Sequence, residues 1–264
     1  MSRRLSLCLI VASGGVLRAS VGVVTILSND AVTQFAVLDA LLAGAYETGM
    51  PVADALRAGD VGIGCCDRLG GEVVIVDGRA YECTVDGPPT QMAESDILPF
   101  VDVAPFSGME SSTIEYLDLA ALTSRVEGLL LSRNLFHAVR VDGVMASVRV
   151  RVTPRQHHPL PPLTEVTREQ VETVLTERTG TLVGFWAPRI YQGIAVAGLH
   201  LHFLAADRFA GGHVLDVTVR TGDLRMRAFA RLDLHLPVDD LFLRTELTHD
   251  ADHRIVAIEG GAGG

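Results

Sequence analysis

The chain has 264 residues, 48% hydrophobic and 20% charged, which supplies a sizeable core and excludes a disordered chain. A formal charge of -10, with arginines scattered rather than clustered, argues against a nucleic-acid partner. All 22 basic residues are arginine, so Schiff-base and pyridoxal phosphate chemistry have no lysine to use, and any electron sink has to be a metal ion or another bound cofactor.

Arg3 and Arg4 precede the apolar run Leu5 to Ala12, the pattern of a short signal peptide, but no A-x-A cleavage site follows. Residues 1–30 are therefore set apart as an extension or a signal segment; the expectation is a cytoplasmic protein, with secretion the alternative. No apolar run approaches the roughly 20 residues needed to span a bilayer, so no membrane partner is expected. Leu38, Leu41, Leu42 and Ala45 repeat at helical spacing and Gly49 ends the pattern. Pro51 opens a second short helix that Gly59 closes. Glu72 to Val76 reads as a strand running into Asp77-Gly78, a hairpin turn, with the return through Ala80 to Cys83. Leu119, Leu122, Val126, Leu129 and Leu130 mark another helix with Asp118 as its N-cap. A second hairpin is expected from Phe136 to Val152, turning at Asp142-Gly143.

Pro154, Pro159, Pro161 and Pro162 then interrupt regular structure, and a domain boundary is placed near Leu163. This gives an N-terminal domain over 31–163 and a C-terminal domain over 164–264. Thr167 with Gln170 resembles a capping box, with Val171, Val174 and Leu175 as the apolar face of the helix behind it. Thr181 to Trp186, Ile194 to Leu204, His213 to Val219 and Arg225 to Leu236 read as strands. The fold class is α+β: two related sheet-rich domains with mixed or antiparallel sheets flanked by a few helices. Cys8, Cys65, Cys66 and Cys83 form no C-x-x-C pair and read as buried or partly buried free thiols.

The chemistry concentrates in three histidines. His200 and His202 flank Leu201 in a strand, so both project from one face about 7 Å apart. Ala210-Gly211-Gly212 lets the chain double back and bring His213 alongside on a neighbouring strand. Three imidazoles leave one position open, the arrangement of a catalytic zinc site; iron, cobalt and nickel are the other candidates. A lone histidine is more often a core or surface residue than a ligand, and the glycines before His213 favour the ligand reading here. The remaining histidines look blander. His157 and His158 fall among the prolines, His249 and His253 in a polar tail, and His137 and His235 on strand faces read as exposed.

Several stretches now combine: Leu38-Asp39-Ala40-Leu41-Leu42-Ala43-Gly44, Gly62-Ile63-Gly64, Gly70-Gly71-Glu72, Ala138-Val139-Arg140-Val141-Asp142-Gly143, Leu182-Val183-Gly184-Phe185-Trp186-Ala187-Pro188, Gly198-Leu199-His200-Leu201-His202-Phe203 and Gly211-Gly212-His213-Val214-Leu215-Asp216. In this order they resemble the alpha-acetolactate decarboxylase family, from about Gln34 to Glu259. The resemblance implies two related α+β sheet domains, one zinc ion per subunit, and decarboxylation of 2-acetolactate to acetoin, a step of acetoin and butanediol formation. It puts the zinc ligands on His200, His202 and His213. It puts active-site roles on Glu72, Arg140 and Glu259, and substrate positioning on Cys65, where the family commonly has threonine. With the mean hydropathy of +0.31 it also suggests a homodimer.

Such a reaction leaves an electron pair behind as carbon dioxide departs. A zinc ion chelating the hydroxyl and ketone oxygens would stabilise the resulting enediolate as a Lewis acid. Arg140 would then bind the departing carboxylate or the developing charge, and Glu72 or Glu259 would protonate the enediolate. Two alternatives use the same residues: a metal-dependent ester or lactone hydrolase, and an inactive relative in which the metal is structural.

Overall fold

The computed structural model describes residues 30–106 and 111–247. The signal-like run, Cys8, His249, His253 and Glu259 lie outside these residues. The chain enters through β1 (Val32–Phe35), α1 (Leu38–Leu42), the two-residue β2 (Met50–Pro51) and α2 (Val52–Ala58). It continues through β3 (Val61–Cys65), β4 (Glu72–Val76), β5 (Arg79–Cys83), the short β6 (Thr90–Gln91) and β7 (Ile97–Leu98), and β8 (Phe100–Ala104). Next come β9 (Ser112–Asp118), α3 (Leu119–Leu129) and the long β10 (Phe136–Val152). After α4 (Leu163–Val166) follow β11 (Val171–Ala187), β12 (Gly198–Ala205), β13 (Gly211–Phe229), β14 (Leu232–His235) and α5 (Asp240–Arg244). The α+β class expected from the sequence holds.

Strands β14, β1, β8, β3, β4, β5 and β6 form one sheet in that order, antiparallel except for the β14–β1 pair. Every residue of β3, β4 and β8 is buried, because both faces of this sheet are covered. One face packs Val73, Ile75, Val101 and Val103 against Val52 and Ala55 of α2. The other packs Val61, Ile63, Val74 and Val76 against Ala138, Val183, Phe185 and Phe229 of the second sheet. That sheet runs β10, β11, β12, β13, β9, and β10 also pairs with β13, so its long strands close on themselves. Leu122 and Val126 of α3 cover its far side against Val139, Leu182 and Leu224. Among the described residues, no helix is long and apolar enough to cross a membrane.

Local signals succeed where the element is local. Asp77 and Gly78 take φ of 53° and 70° and close the β4–β5 hairpin, as two left-handed positions in a primed turn require. Asp118 caps α3 through a 2.8 Å bond from Ala121 N–H. The second Asp-Gly pair behaves differently. Asp142 and Gly143 lie inside one continuous strand, where Gly143 stands between Gly180 of β11 and Gly222 of β13. A Cβ on Gly143 would sit 2.2 Å from the Thr221 carbonyl oxygen. This glycine serves close strand approach, not a turn.

Two further expectations are corrected. The helix placed over Val171–Leu175 is the start of β11; Thr167–Glu169 makes only a single 3-10 turn. Val171 and Val174 are exposed, and pairing of β11 with β10 outweighs the capping pattern. The boundary placed near Leu163 falls in the connection between β10 and β11. β10 and β11, on either side of it, pair from His137–Trp186 to Val152–Val171, and β14 returns to the first sheet. His137 is buried rather than exposed. It accepts from Leu131 N–H through Nε2, and burial lowers its pKa to about 4.

Close approach also governs Gly184, whose Cβ would lie 1.8 Å from the His200 carbonyl oxygen, whereas Gly128 in α3 has open space around it. Gly184→Ala is expected to destabilise by about 1–3 kcal/mol by forcing β12 away from β11. Gly128→Ala is expected to stabilise by roughly 0.4–1 kcal/mol by reducing the freedom of the unfolded chain. Urea unfolding of the two variants checks the opposite signs.

Candidate metal centre

Strand alternation points His200 and His202 to one face of β12, and the pairing of β12 with β13 sets His213 directly opposite His202. The reversal between these strands occupies residues 206–210, while Gly211 and Gly212 already belong to β13. Their lack of side chains is needed. A Cβ on Gly211 would meet Cys83 Sγ at 2.6 Å, and one on Gly212, which has φ of 147°, would meet the Arg151 carbonyl oxygen at 2.5 Å. The three rings stand 4.9 to 5.4 Å apart between centroids, and one nitrogen from each lies within 4.8 Å of the others.

The chemistry of these donors fits a divalent ion. His200 Nε2 and His213 Nδ1 are 3.0 Å apart. Tetrahedral co-ligands with Zn–N bonds of about 2.0–2.1 Å are separated by roughly 3.3 Å. His202 Nδ1 lies 2.9 Å from the Val73 carbonyl oxygen, which accepts its proton and leaves the Nε2 lone pair facing the cavity. Glu72 Oε2 lies 3.5 Å from that Nε2, so a carboxylate from β4 of the first sheet joins imidazoles from the second. His200, His202 and His213 could therefore hold a metal ion, with Glu72 beside them.

The lining of the surrounding cavity is mixed. Leu38 and Leu41 of α1, Leu69, Phe100 and Leu163 are apolar. Arg151 and Thr153, at the end of β10, join the histidines and Glu72 as polar lining groups. Cys65 also lines the cavity. Its Sγ is 3.9 Å from the Phe100 carbonyl oxygen, and burial pushes the thiol pKa well up, so it stays protonated. Cys66 and Cys83 are likewise buried free thiols.

Arg140 is not brought to this cavity. Its Nε donates to Asp142 at 2.7 Å and its Nη1 to Asp77 at 2.6 Å, beside the β4–β5 turn. Burial opposes its charge, but those two carboxylates outweigh burial and hold the guanidinium ionised. The arginine that does line the cavity is Arg151. It pairs across strands with His213, is 3% exposed, and donates from Nη1 to Gln170 Oε1 at 3.2 Å. Sequence reasoning missed it, because Val148-Arg149-Val150-Arg151-Val152 reads as a strand with a solvated arginine face. Arg149 fits that reading and pairs with exposed Glu172, whereas Arg151 is buried and lines the cavity together with Cys65 and Glu72 of the first sheet. Thr153, whose hydroxyl donates to the Leu69 carbonyl oxygen at 2.6 Å, was missed for the same reason.

The alpha-acetolactate decarboxylase profile matches residues 32–249, which contain both sheets and all three histidines. The chain belongs to the alpha-acetolactate decarboxylase family. It is an enzyme of the lyase class. Similar members include the alpha-acetolactate decarboxylase of Methanosarcina mazei, 35% identical over 88% of this chain and 81% of that one. The Bacillus licheniformis protein of the same name is 34% identical over 88% of this chain and 92% of that one. The crystal structure of alpha-acetolactate decarboxylase from Bacillus subtilis strain 168 superposes with a TM-score of 0.84 at 29% identity. It covers 88% of this chain and the whole of that one. The match to the family profile stops short of Glu259.

His202→Ala is expected to lower bound zinc from about one ion per chain to near zero by elemental analysis, with the far-ultraviolet circular dichroism of a folded protein retained. Full occupancy in this variant would remove His202 from the ligand set.

Proposed function

We propose that this protein decarboxylates 2-acetolactate to acetoin at the His200, His202 and His213 centre, with a divalent ion, zinc by preference, held there. The observation that carries this reading is the convergence of three imidazoles, one carboxylate and one buried arginine on a cavity that is also lined by Leu38, Leu41, Phe100 and Leu163. When bound, the metal supplies Lewis acidity toward the hydroxyl and ketone oxygens of the substrate. Val73 sets the tautomer of His202, so that Nε2 faces the ion as a lone pair. The Arg151 guanidinium is placed to take the substrate carboxylate and to steady negative charge as carbon dioxide leaves. Arg140, fixed by two carboxylates at the hairpin turn, is replaced by Arg151 in this role. Loss of carbon dioxide leaves an enediolate carbon that needs a proton. Glu72 is the near candidate to deliver it, and Glu259 is the second.

The apolar lining of Leu38, Leu41, Phe100 and Leu163 fits the two methyl groups of the substrate and excludes water from the reacting carbon. Cys65, in the position where threonine is common, offers a neutral thiol, a weaker hydrogen-bond partner than a hydroxyl. Its role is to shape the cavity beside Glu72, its cross-strand neighbour.

Acetoin formation from racemic 2-acetolactate tests the proposal. Activity is expected in the zinc-loaded protein, to disappear on chelation and to return with zinc. Absence of acetoin from folded, metal-loaded protein would sink the decarboxylase reading. Arg151→Ala is expected to lower kcat/KM by at least about 100-fold, the order lost when a transition-state donor is removed. Arg140→Ala is expected to stay within a few-fold of the parent enzyme while lowering the urea midpoint, because it leaves Asp142 without its closest partner. The reverse ranking would return the carboxylate site to Arg140.

A further inference from the structure

Among the described residues, Glu72 and Asp102 are the buried carboxyls, and only Glu72 lines the metal cavity. Asp102 lies in the middle of β8 and is 4% exposed. Pairing of β8 with β1 sets it directly opposite Gln34, which is wholly buried. Opposed residues in antiparallel strands project to one face with Cβ atoms about 4.5–5.5 Å apart, so the carboxyl and the amide confront each other. The amide orientation is fixed. Gln34 Nε2 donates to the Ala36 carbonyl oxygen at 2.8 Å and to the Ile194 carbonyl oxygen at 2.7 Å, which leaves Oε1 as an acceptor. Neither Gln34 Oε1 nor Asp102 Oδ1 has a hydrogen-bond partner among the described residues. Two buried acceptors set against each other stay unsatisfied unless one carries a proton, and only the carboxyl can take one.

We propose that Asp102 stands as the neutral carboxylic acid in the folded protein and donates its proton to Gln34 Oε1, making it a positioning residue for the walls of the metal cavity. The two Gln34 amide bonds join the end of β1 to the segment that leads into β12. Ala36 introduces α1, whose Leu38 and Leu41 line the cavity, and Ile194 precedes the strand that carries His200 and His202. An ionised Asp102 would repel Oε1 and draw the amide hydrogens to itself, releasing Ala36 and Ile194.

The surroundings favour the neutral acid. Ile63 faces Asp102 from β3, with Val61 and the Cys65 thiol on either side, and Val32 flanks Gln34 on β1. Among the described residues, charged or titratable groups on neighbouring elements include Cys65, Tyr46, Tyr191, Asp233 and His235 of β14, Asp39 beside Gly193, and Arg227 with Asp30 beyond the end of β8. Burial keeps Cys65 and Tyr46 protonated. Burial, with no contribution from a neighbouring charge, raises the Asp102 pKa to about 7. A carboxyl whose folded pKa is raised binds its proton more tightly in the fold than in the unfolded chain. Stability is then greatest where both states are protonated, declines as pH rises from about 4 to about 7, and is level above that.

The test uses the full chain, the Asp102→Asn and Asp102→Val variants, infrared spectroscopy and urea unfolding from about pH 5 to 8.5. The parent protein is expected to show a protonated-carboxyl carbonyl band at about pH 5.5 that fades with a midpoint near 7 and is missing from Asp102→Asn. Relative to Asp102→Asn, its folding constant is expected to fall by up to about tenfold per pH unit below pH 7. Asparagine supplies an N–H donor to Oε1 at every pH and is expected to hold the fold. Valine supplies none and is expected to be less stable than Asp102→Asn throughout. A parent protein with no such band at about pH 5.5, or one with the same pH slope as Asp102→Asn, would overturn the assignment.

Discussion

The hydrogen bond from His202 to the Val73 carbonyl oxygen crosses from the second sheet to the first and orients one imidazole of the three-histidine cluster. It fixes the tautomer of the neutral imidazole, because a neutral ring that donates from Nδ1 has its lone pair on Nε2. It also brings Glu72, the residue before Val73, within 3.5 Å of that lone pair. The bond is buried, so water does not compete for either partner. The candidate metal site is therefore a property of how two sheets face each other, since neither sheet carries both the three histidines and Glu72.

That facing arrangement needs close packing at particular backbone positions. Gly211 and Gly212 let β13 pass against Cys83 and Arg151, Gly184 lets β11 lie against the backbone of His200, and Gly143 lets β10 approach β13. A side chain at any of these would displace a strand that bears a histidine or a strand paired with one. The apolar contacts between Ile63, Val74, Val183 and Phe185 supply the non-directional force that holds the sheets together. The glycines and the buried hydrogen bond supply the register.

The two arginine environments show how position decides function between chemically identical groups. Arg140 meets Asp77 and Asp142 at a sheet corner, where its charge is fully matched. Arg151 reaches the metal cavity from the end of the same strand and meets the neutral Gln170. The first is committed to holding a turn against a strand, whereas the second lies in the wall of the cavity that holds the three histidines.

The sequence by itself determined what depends on nearby residues. The α+β class, the Asp77-Gly78 turn, the Asp118 cap and the His200, His202 and His213 cluster were all legible, because alternation, turn chemistry and capping act over a few positions. Only the tertiary structure decided the rest. Asp142-Gly143 carries the same turn signal as Asp77-Gly78, but a neighbouring strand on each side makes it part of a ladder. Val171 to Leu175 has helical spacing, yet pairing with β10 holds it extended. Arg149 and Arg151 are indistinguishable by alternation, yet only Arg151 is buried, in the lining of the cavity it shares with the three histidines. Each of these outcomes depends on partners far away in the chain, and a short window of sequence contains no information about them.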